Sequence, residues 1–284
     1  MVEMMHKEFT ELMGRWCIPR LVGSEGSHKI VKLLKQDFDR FNFECEEQEF
    51  PVFKSDTSFK LSRKLAIIGV LSSIFLILFW ILFLYSLMIL PGITIILATI
   101  KRKPKCSDVC EVRVQKRSNP KEEIALMQKN LIYRLRAKKE RKCSVILVAH
   151  HDSKSQLYPT KARALIVLST ILLVISIGII SGICIILELI NLASCPYLQT
   201  IIFSLGWISV VLIFLLASNR ISNRSPGALD NASGLYTLWK TAKLVLDSPF
   251  DNAEIWFVLT GAEEIGQIGA AEFLNKYKNK LDPH

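Results

Sequence analysis

The chain has 284 residues, with 36 Lys and Arg against 26 Asp and Glu, a formal net charge of +10 and 50% hydrophobic residues. Those averages hide a split: residues 65–100 contain no charged residue and no His, and residues 164–219 contain only Glu188. The split excludes a disordered chain, a small disulfide scaffold and a plain soluble domain. It predicts membrane spans, because uncharged apolar runs of this length exceed the ~20 residues that one crossing needs.

Three soluble pieces remain, at 1–64, 101–163 and 220–284. The first opens without the apolar h-region of a secretory signal. Gly23-Ser24-Glu25-Gly26-Ser27 punctuates the chain and supplies a helix cap. Ile30, Leu33, Leu34, Phe38 and Phe41 then recur at helical spacing, opposite Lys29, Lys32, Lys35 and Asp39. Residues 43–53 read as extended.

The run 65–100 follows. Its 36 residues give about 54 Å of helix, against about 60 Å for two crossings. Arg63, Lys64, Lys101 and Lys103 extend and anchor such a hairpin by snorkelling. Trp80 and Tyr85 then fall at its far interface. The alternative is one tilted span broken at Pro91-Gly92. Basic clusters at both ends, with none between, favour the hairpin.

In the second soluble piece Cys106 and Cys110 have loose metal-ligand spacing, with no second pair to complete a site. Seven scattered Cys fit free thiols in a reducing compartment. Asn130–Arg136 and residues 144–149 read as strands, the latter a buried apolar run. The run 164–219 forms a second hairpin, with its break at Asn191–Pro196. In the last piece residues 232–246 form a helix, with Leu235, Leu238, Trp239, Ala242 and Val245 on one face. Residues 254–260 form another buried strand.

Strands alternating with helices predict an α/β fold with a mostly parallel sheet. The three soluble pieces are enough for one core, so one discontinuous domain is the expectation, and each insertion must then cross the bilayer an even number of times. Four transmembrane helices result. The flanking cations put the domain on the cytoplasmic side by the positive-inside rule and suit anionic lipid. No reader motif accompanies the charge, which argues against nucleic acid.

Three stretches carry chemistry. His150-His151-Asp152-Ser153 follows the strand at 144–149. Ser225-Pro226-Gly227-Ala228-Leu229-Asp230-Asn231-Ala232-Ser233-Gly234 is a turn opening a helix. Gly261-Ala262-Glu263-Glu264-Ile265-Gly266 follows the strand at 254–260. Ligands of open α/β sheets bind outside the carboxyl ends of the strands, so these residues reach the edge where sites form. Imidazole plus carboxylates, without Cys, is a zinc-hydrolase ligand set.

In this order the three motifs resemble metallopeptidase family 28, the zinc exopeptidases that include bacterial leucyl aminopeptidase, aminopeptidase Y, glutamate carboxypeptidase II and glutaminyl cyclase. Arg20-Leu21-Val22-Gly23-Ser24 is similar to the family's N-terminal signature. The resemblance implies a three-layer α/β/α sandwich, here with an incomplete sheet, peptide substrates and two zinc ions. His150 would be a terminal ligand of one ion, Asp230 the bridging carboxylate and Glu264 a ligand of the other ion. Glu263 would be the general base, and Asp152 would accept from the second imidazole nitrogen of His150. Asn231 and Ser233 shape the turn, Leu229 stands where some members have Asp, and His151 stands where Tyr is common. Two further family ligands, an Asp and a His, lie downstream of the Glu-Glu pair. Asp282 and His284 are the right types in the wrong context. The expectation is therefore an incomplete copy of a membrane aminopeptidase. Two readings stay open beside it, a non-catalytic membrane protein of the same fold and a glutaminyl cyclase-like acyl transferase.

Overall fold

The computed structural model describes residues 2–57, 60–81, 90–99, 106–119, 121–190 and 196–281. Tyr85, Lys101, Lys103, Asn191, Asp282 and His284 lie outside these residues, as does the side chain of Cys106. In chain order the helices and strands are α1 (Val2–Trp16), α2 (Glu25–Phe38), β1 (Glu44–Phe53), α3 (Lys54–Thr57), α4 (Lys60–Ile81), α5 (Leu90–Ala98), α6 (Cys106–Ser118), β2 (Ile124–Leu135), β3 (Cys143–His150), β4 (Ser155–Gln156), α7 (Thr160–Leu189), α8 (Pro196–Ala217), β5 (Ile221–Ser222), α9 (Ser233–Asp247), β6 (Ala253–Thr260) and α10 (Ile268–Leu281). They fall into two compact units. One comprises Met1–Ser58, Pro104–Ser155 and Ile221–His284; the other comprises Phe59–Lys103 and Gln156–Arg220.

The first unit is built on a sheet of order β1-β2-β6-β3. Side chains of successive strand residues point to opposite faces, and this alternation makes the layers. Leu131, Tyr133, Ile255, Phe257 and Leu259 face one way and pack with Leu12, Trp16, Ile30, Leu34 and Phe38 of α1 and α2 and with Leu235, Trp239 and Ala242 of α9. Ile132, Trp256 and Val258 face the other way, onto Phe273 and Tyr277 of α10. Each fully buried Leu or Phe contributes about 1.5–3 kcal/mol. Ser24 caps α2 by accepting from the backbone N–H of Ser27.

The sheet corrects one expectation. It is mixed, not mostly parallel: β3 and β6 run parallel, but β1–β2 and β2–β6 are antiparallel. Apolar runs mark buried strands without fixing their direction, which the connections decide. Residues 136–142 are too short a link for β2 and β3 to run parallel. The link from β3 to β6 contains α9, which packs on the sheet as a crossover helix does. The outer strand β3 exposes Val145, Ile146 and Val148.

A buried ion-pair cluster holds α6 against α10. Arg113 is 2% exposed and reaches Asp56 and Glu272 at 2.8 Å each, and Arg117 reaches Glu272 at 2.7 Å.

In the second unit three helices are long and apolar enough to cross a membrane: Leu61–Ile81, Thr160–Cys184 and Tyr197–Ala217, of mean hydropathy 2.4, 2.7 and 2.5. α5 is short among the described residues, and Pro91 and Gly92 lie in its first turn. Leu165, Leu168, Leu172, Ile175 and Ile179 of α7 are exposed, as lipid-facing residues are. α4 and α8 approach closely through glycine. A Cβ at Gly69 would meet the Phe214 ring at 3.0 Å, and one at Gly206 would overlap Leu76.

Candidate functional site

β3 ends at His150 and β6 at Thr260, and the parallel register sets these two residues side by side. The loops that leave both strands therefore emerge at one edge of the sheet. A third segment, 225–232, joins them there. Gly227 turns it at φ +60°, and a Cβ on it would meet Arg20, Asp230 and Ser153 at 2.7 Å. The one-turn helix Ala228–Ala232 is broken at Asp230 (φ −122°, ψ 90°).

Arg20 bolts the segments together. Fully buried, it donates from Nε to His151 O (2.7 Å), from Nη1 to Trp16 O (3.1 Å), Ile18 O (3.2 Å) and Pro226 O, and from Nη2 to Gly227 O (2.9 Å). A planar guanidinium with five N–H donors suits such a junction of carbonyls. Asn130 on β2 does the same for the loop after β6. Its Nδ2 donates to Gly269 O (2.8 Å) and to Gln48 Oε1 (3.0 Å), and its Oδ1 accepts from Gly261 N (3.0 Å).

These contacts bring His150, Asp230 and Glu263 together. His150 Nε2 lies 3.0 Å from Asp230 Oδ1 and 3.8 Å from Glu263 Oε2. Its Nδ1 lies 3.1 Å from the backbone carbonyl of Asp152 and 3.6 Å from the Asp152 carboxylate. The carbonyl is thus the nearer partner of that nitrogen. The buried Asp152 carboxylate also accepts from the backbone N–H of Glu263 at Oδ1 (3.0 Å) and of Glu264 at Oδ2 (2.9 Å). Asp152 therefore sets the path of the chain through both glutamates.

Burial pushes the His150 pKa down, but Asp152, Glu263 and Asp230 outweigh it and raise the value to about 9. Burial likewise works against the Asp152 carboxylate, yet its imidazole and backbone N–H neighbours hold it below the ordinary carboxylate range. Three carboxylates around one imidazole make a field that favours a cation. His151 differs: it is fully buried, burial holds it neutral, and its Nε2 donates to Lys129 O (3.0 Å). Leu229 is exposed, Asn231 sits over Gly234, and Ser233 Oγ donates to Leu229 O (2.8 Å).

Glu264 is engaged elsewhere. Lys154 Nζ lies 2.7 Å from its Oε2 and 2.6 Å from its backbone carbonyl. Among the described residues no group of three or more His, Cys, Asp or Glu is arranged to hold a metal ion. The donor types at His150 and Asp230 fit one divalent ion. At Glu264 the ammonium of Lys154 already holds one carboxylate oxygen, Oε2.

Sequence reasoning missed Lys154, Asn130 and the depth of Arg20's role. Lys154 gave a faint signal, standing two residues beyond an Asp at a strand end. Asn130 gave another, a polar residue inside a buried strand.

A sequence model described as Peptidase family M28 matches residues 210–283. This stretch holds Asp230, Glu263 and Glu264; His150 and Asp152 lie outside it. The match supports a peptidase of metallopeptidase type, from a family that is generally zinc-dependent. No curated protein matches the chain.

Proposed function

We propose that the chain is a membrane-integrated metallopeptidase of aminopeptidase type, hydrolysing peptide bonds at the edge where β3 and β6 end. The observation that carries this reading is the imidazole of His150, at the carboxyl end of β3, facing Asp152 and Glu263 on the loops that leave the parallel strands β3 and β6, and Asp230 on the turn before α9. The family match over the segment holding three of the five residues supports it. His150 Nε2 and Asp230 would hold a zinc ion, which supplies Lewis acidity and makes water a stronger acid when bound.

Glu263 stands beside that position with its carboxylate partly exposed. It takes a proton from the attacking water and delivers it to the leaving amine. Asp152 keeps Glu263 aimed by receiving its backbone N–H, and the Asp152 carbonyl orients His150 through Nδ1. Asp230, exposed at the mouth of the turn, presents its second oxygen to substrate and water.

The soluble pieces form one discontinuous domain on the cytoplasmic side, with 65–100 and 164–219 as hairpins in the bilayer. The three long apolar helices support the membrane part of this reading, and the basic flanks support the orientation.

The test is hydrolysis of aminoacyl amides by the full chain in detergent, with Glu263→Gln beside it. The reading predicts zinc-stimulated hydrolysis that falls at least 100-fold in the variant, with zinc content unchanged, because a positioned general base is worth ~10²–10⁴ in rate. Equal rates in the two proteins would remove Glu263 from the mechanism. No hydrolysis by the wild-type chain, with zinc bound, would favour a non-catalytic domain of the same fold. Lys154's hold on Glu264 is the observation that keeps this second reading alive.

A further inference from the structure

We infer that the ammonium of Lys154 occupies the cation position beside Glu264, so that this site takes one divalent ion and not two. The inference rests on the proposed reading of His150 and Asp230 as ligands.

Two oxygens of the same residue converge on one nitrogen. Lys154 Nζ lies 2.7 Å from Glu264 Oε2 and 2.6 Å from Glu264 O. The pair is largely shielded from solvent, with the Lys154 side chain 26% exposed and that of Glu264 11%. The backbone dictates this placement. Asp152 grips the N–H groups of Glu263 and Glu264, and two residues later Lys154 grips the carbonyl of Glu264. The loop leaving β3 thus clamps the loop leaving β6 at both polar ends of one peptide segment. A carboxylate oxygen held by an ammonium in a partly dry site is closed to a second cation, because two like charges there repel strongly. Lysine supplies a compact point charge on a flexible stem, suited to standing where an ion would.

The His150 side of the site has no such occupant. There, among the described residues, the imidazole is the positive group within ion-pair distance of Asp230, the buried Arg20 acts on that carboxylate only from farther off, and Asp230 remains open to solvent. One half of the site is therefore free to take an ion, and the other is filled by the chain itself.

The experiment is the zinc stoichiometry of the full chain in detergent, by equilibrium dialysis and elemental analysis, for wild type, Lys154→Met and Lys154→Met/Glu264→Gln. Expected are one zinc per wild-type chain, two for Lys154→Met and one again for the double variant. Two zincs in the wild type, or one in a folded Lys154→Met, would overturn the inference while leaving the first ion in place. No zinc in any of the three would overturn the His150–Asp230 reading and this inference with it. A second measurement needs no variant. Acetylation of Lys154 in the wild type, mapped by mass spectrometry, should stay slow relative to the more exposed Lys139 whether or not zinc is saturating. A zinc-induced rise to the Lys139 rate would show that a metal ion displaces the ammonium, which contradicts the inference.

Discussion

Asp152→Ala tests whether one carboxylate organises the site. Asp152 is 1% exposed and accepts two backbone N–H bonds, from Glu263 at 3.0 Å and Glu264 at 2.9 Å. Hydrogen bonds to a charged acceptor contribute about 1.5–3 kcal/mol each, so removing both costs about 3–6 kcal/mol. The relieved desolvation of the carboxylate returns part of this, leaving about 3–4 kcal/mol. For a folded region near 200 residues that corresponds to a loss of roughly 6–16 °C in Tm. Asp152→Asn keeps the volume but turns one acceptor into a donor facing an N–H, and should lose about half as much. Asp251→Ala is the control: its ion pair with Lys139 is exposed on both sides, and such pairs contribute less than about 1 kcal/mol. The assay is thermal unfolding in detergent, followed by amide hydrogen exchange at Glu263 and Glu264, which should speed up in Asp152→Ala and hold in Asp251→Ala. The pH dependence has a fixed sign. A carboxylate held below its ordinary value of 3.8 stabilises the fold fully above that value and progressively less as pH falls through its folded pKa. Wild type and Asp152→Ala should therefore converge in acid. Unchanged exchange at both glutamates, or a stability gap that widens as pH falls, would refute the reasoning.

Arg20→Met leaves carbonyls of three chain segments without their donor and should cost about 3–5 kcal/mol, more than Arg20→Lys, as read by thermal unfolding. Gly227→Ala combines a φ of +60° with a Cβ 2.7 Å from Arg20, Asp230 and Ser153, and should destabilise by about 2 kcal/mol or more. Glu272→Ala strands the buried Arg113 with one carboxylate partner fewer and should cost about 3 kcal/mol, with faster amide exchange along α6. Protease added to right-side-out vesicles should leave residues 101–163 intact, as the cytoplasmic orientation requires; cleavage there would reverse the topology.

The α/β class was legible because β6 is a short buried apolar run and Ile30, Leu34 and Phe38 keep a helical period; β3, expected to be as buried, exposes Val145, Ile146 and Val148 because it is an outer strand. The direction of β2 was not, since the apolar pattern of Leu131–Tyr133 is the same whichever way the strand runs. α1 escaped notice although Leu12 and Trp16 are buried; its remaining face is charged and its period is short. The three site motifs stood out by their residue types, and the sheet register explains how the motifs of β3 and β6 reach one edge. Arg20 and Asn130 were opaque for a different reason. Their partners are mostly backbone groups far along the chain, and no side-chain pattern announces a carbonyl. Lys154 was opaque because an ammonium beside a carboxylate is an ordinary surface pairing until the fold places it on Glu264.

The most direct test of the central claim is zinc retained per purified chain, compared between wild type, His150→Ala and Asp230→Ala after dialysis against equal free zinc. The account predicts about one zinc in the wild type and a loss of at least tenfold in affinity in each variant, since each removes a ligand. Equal zinc in all three, or none in the wild type, would contradict it.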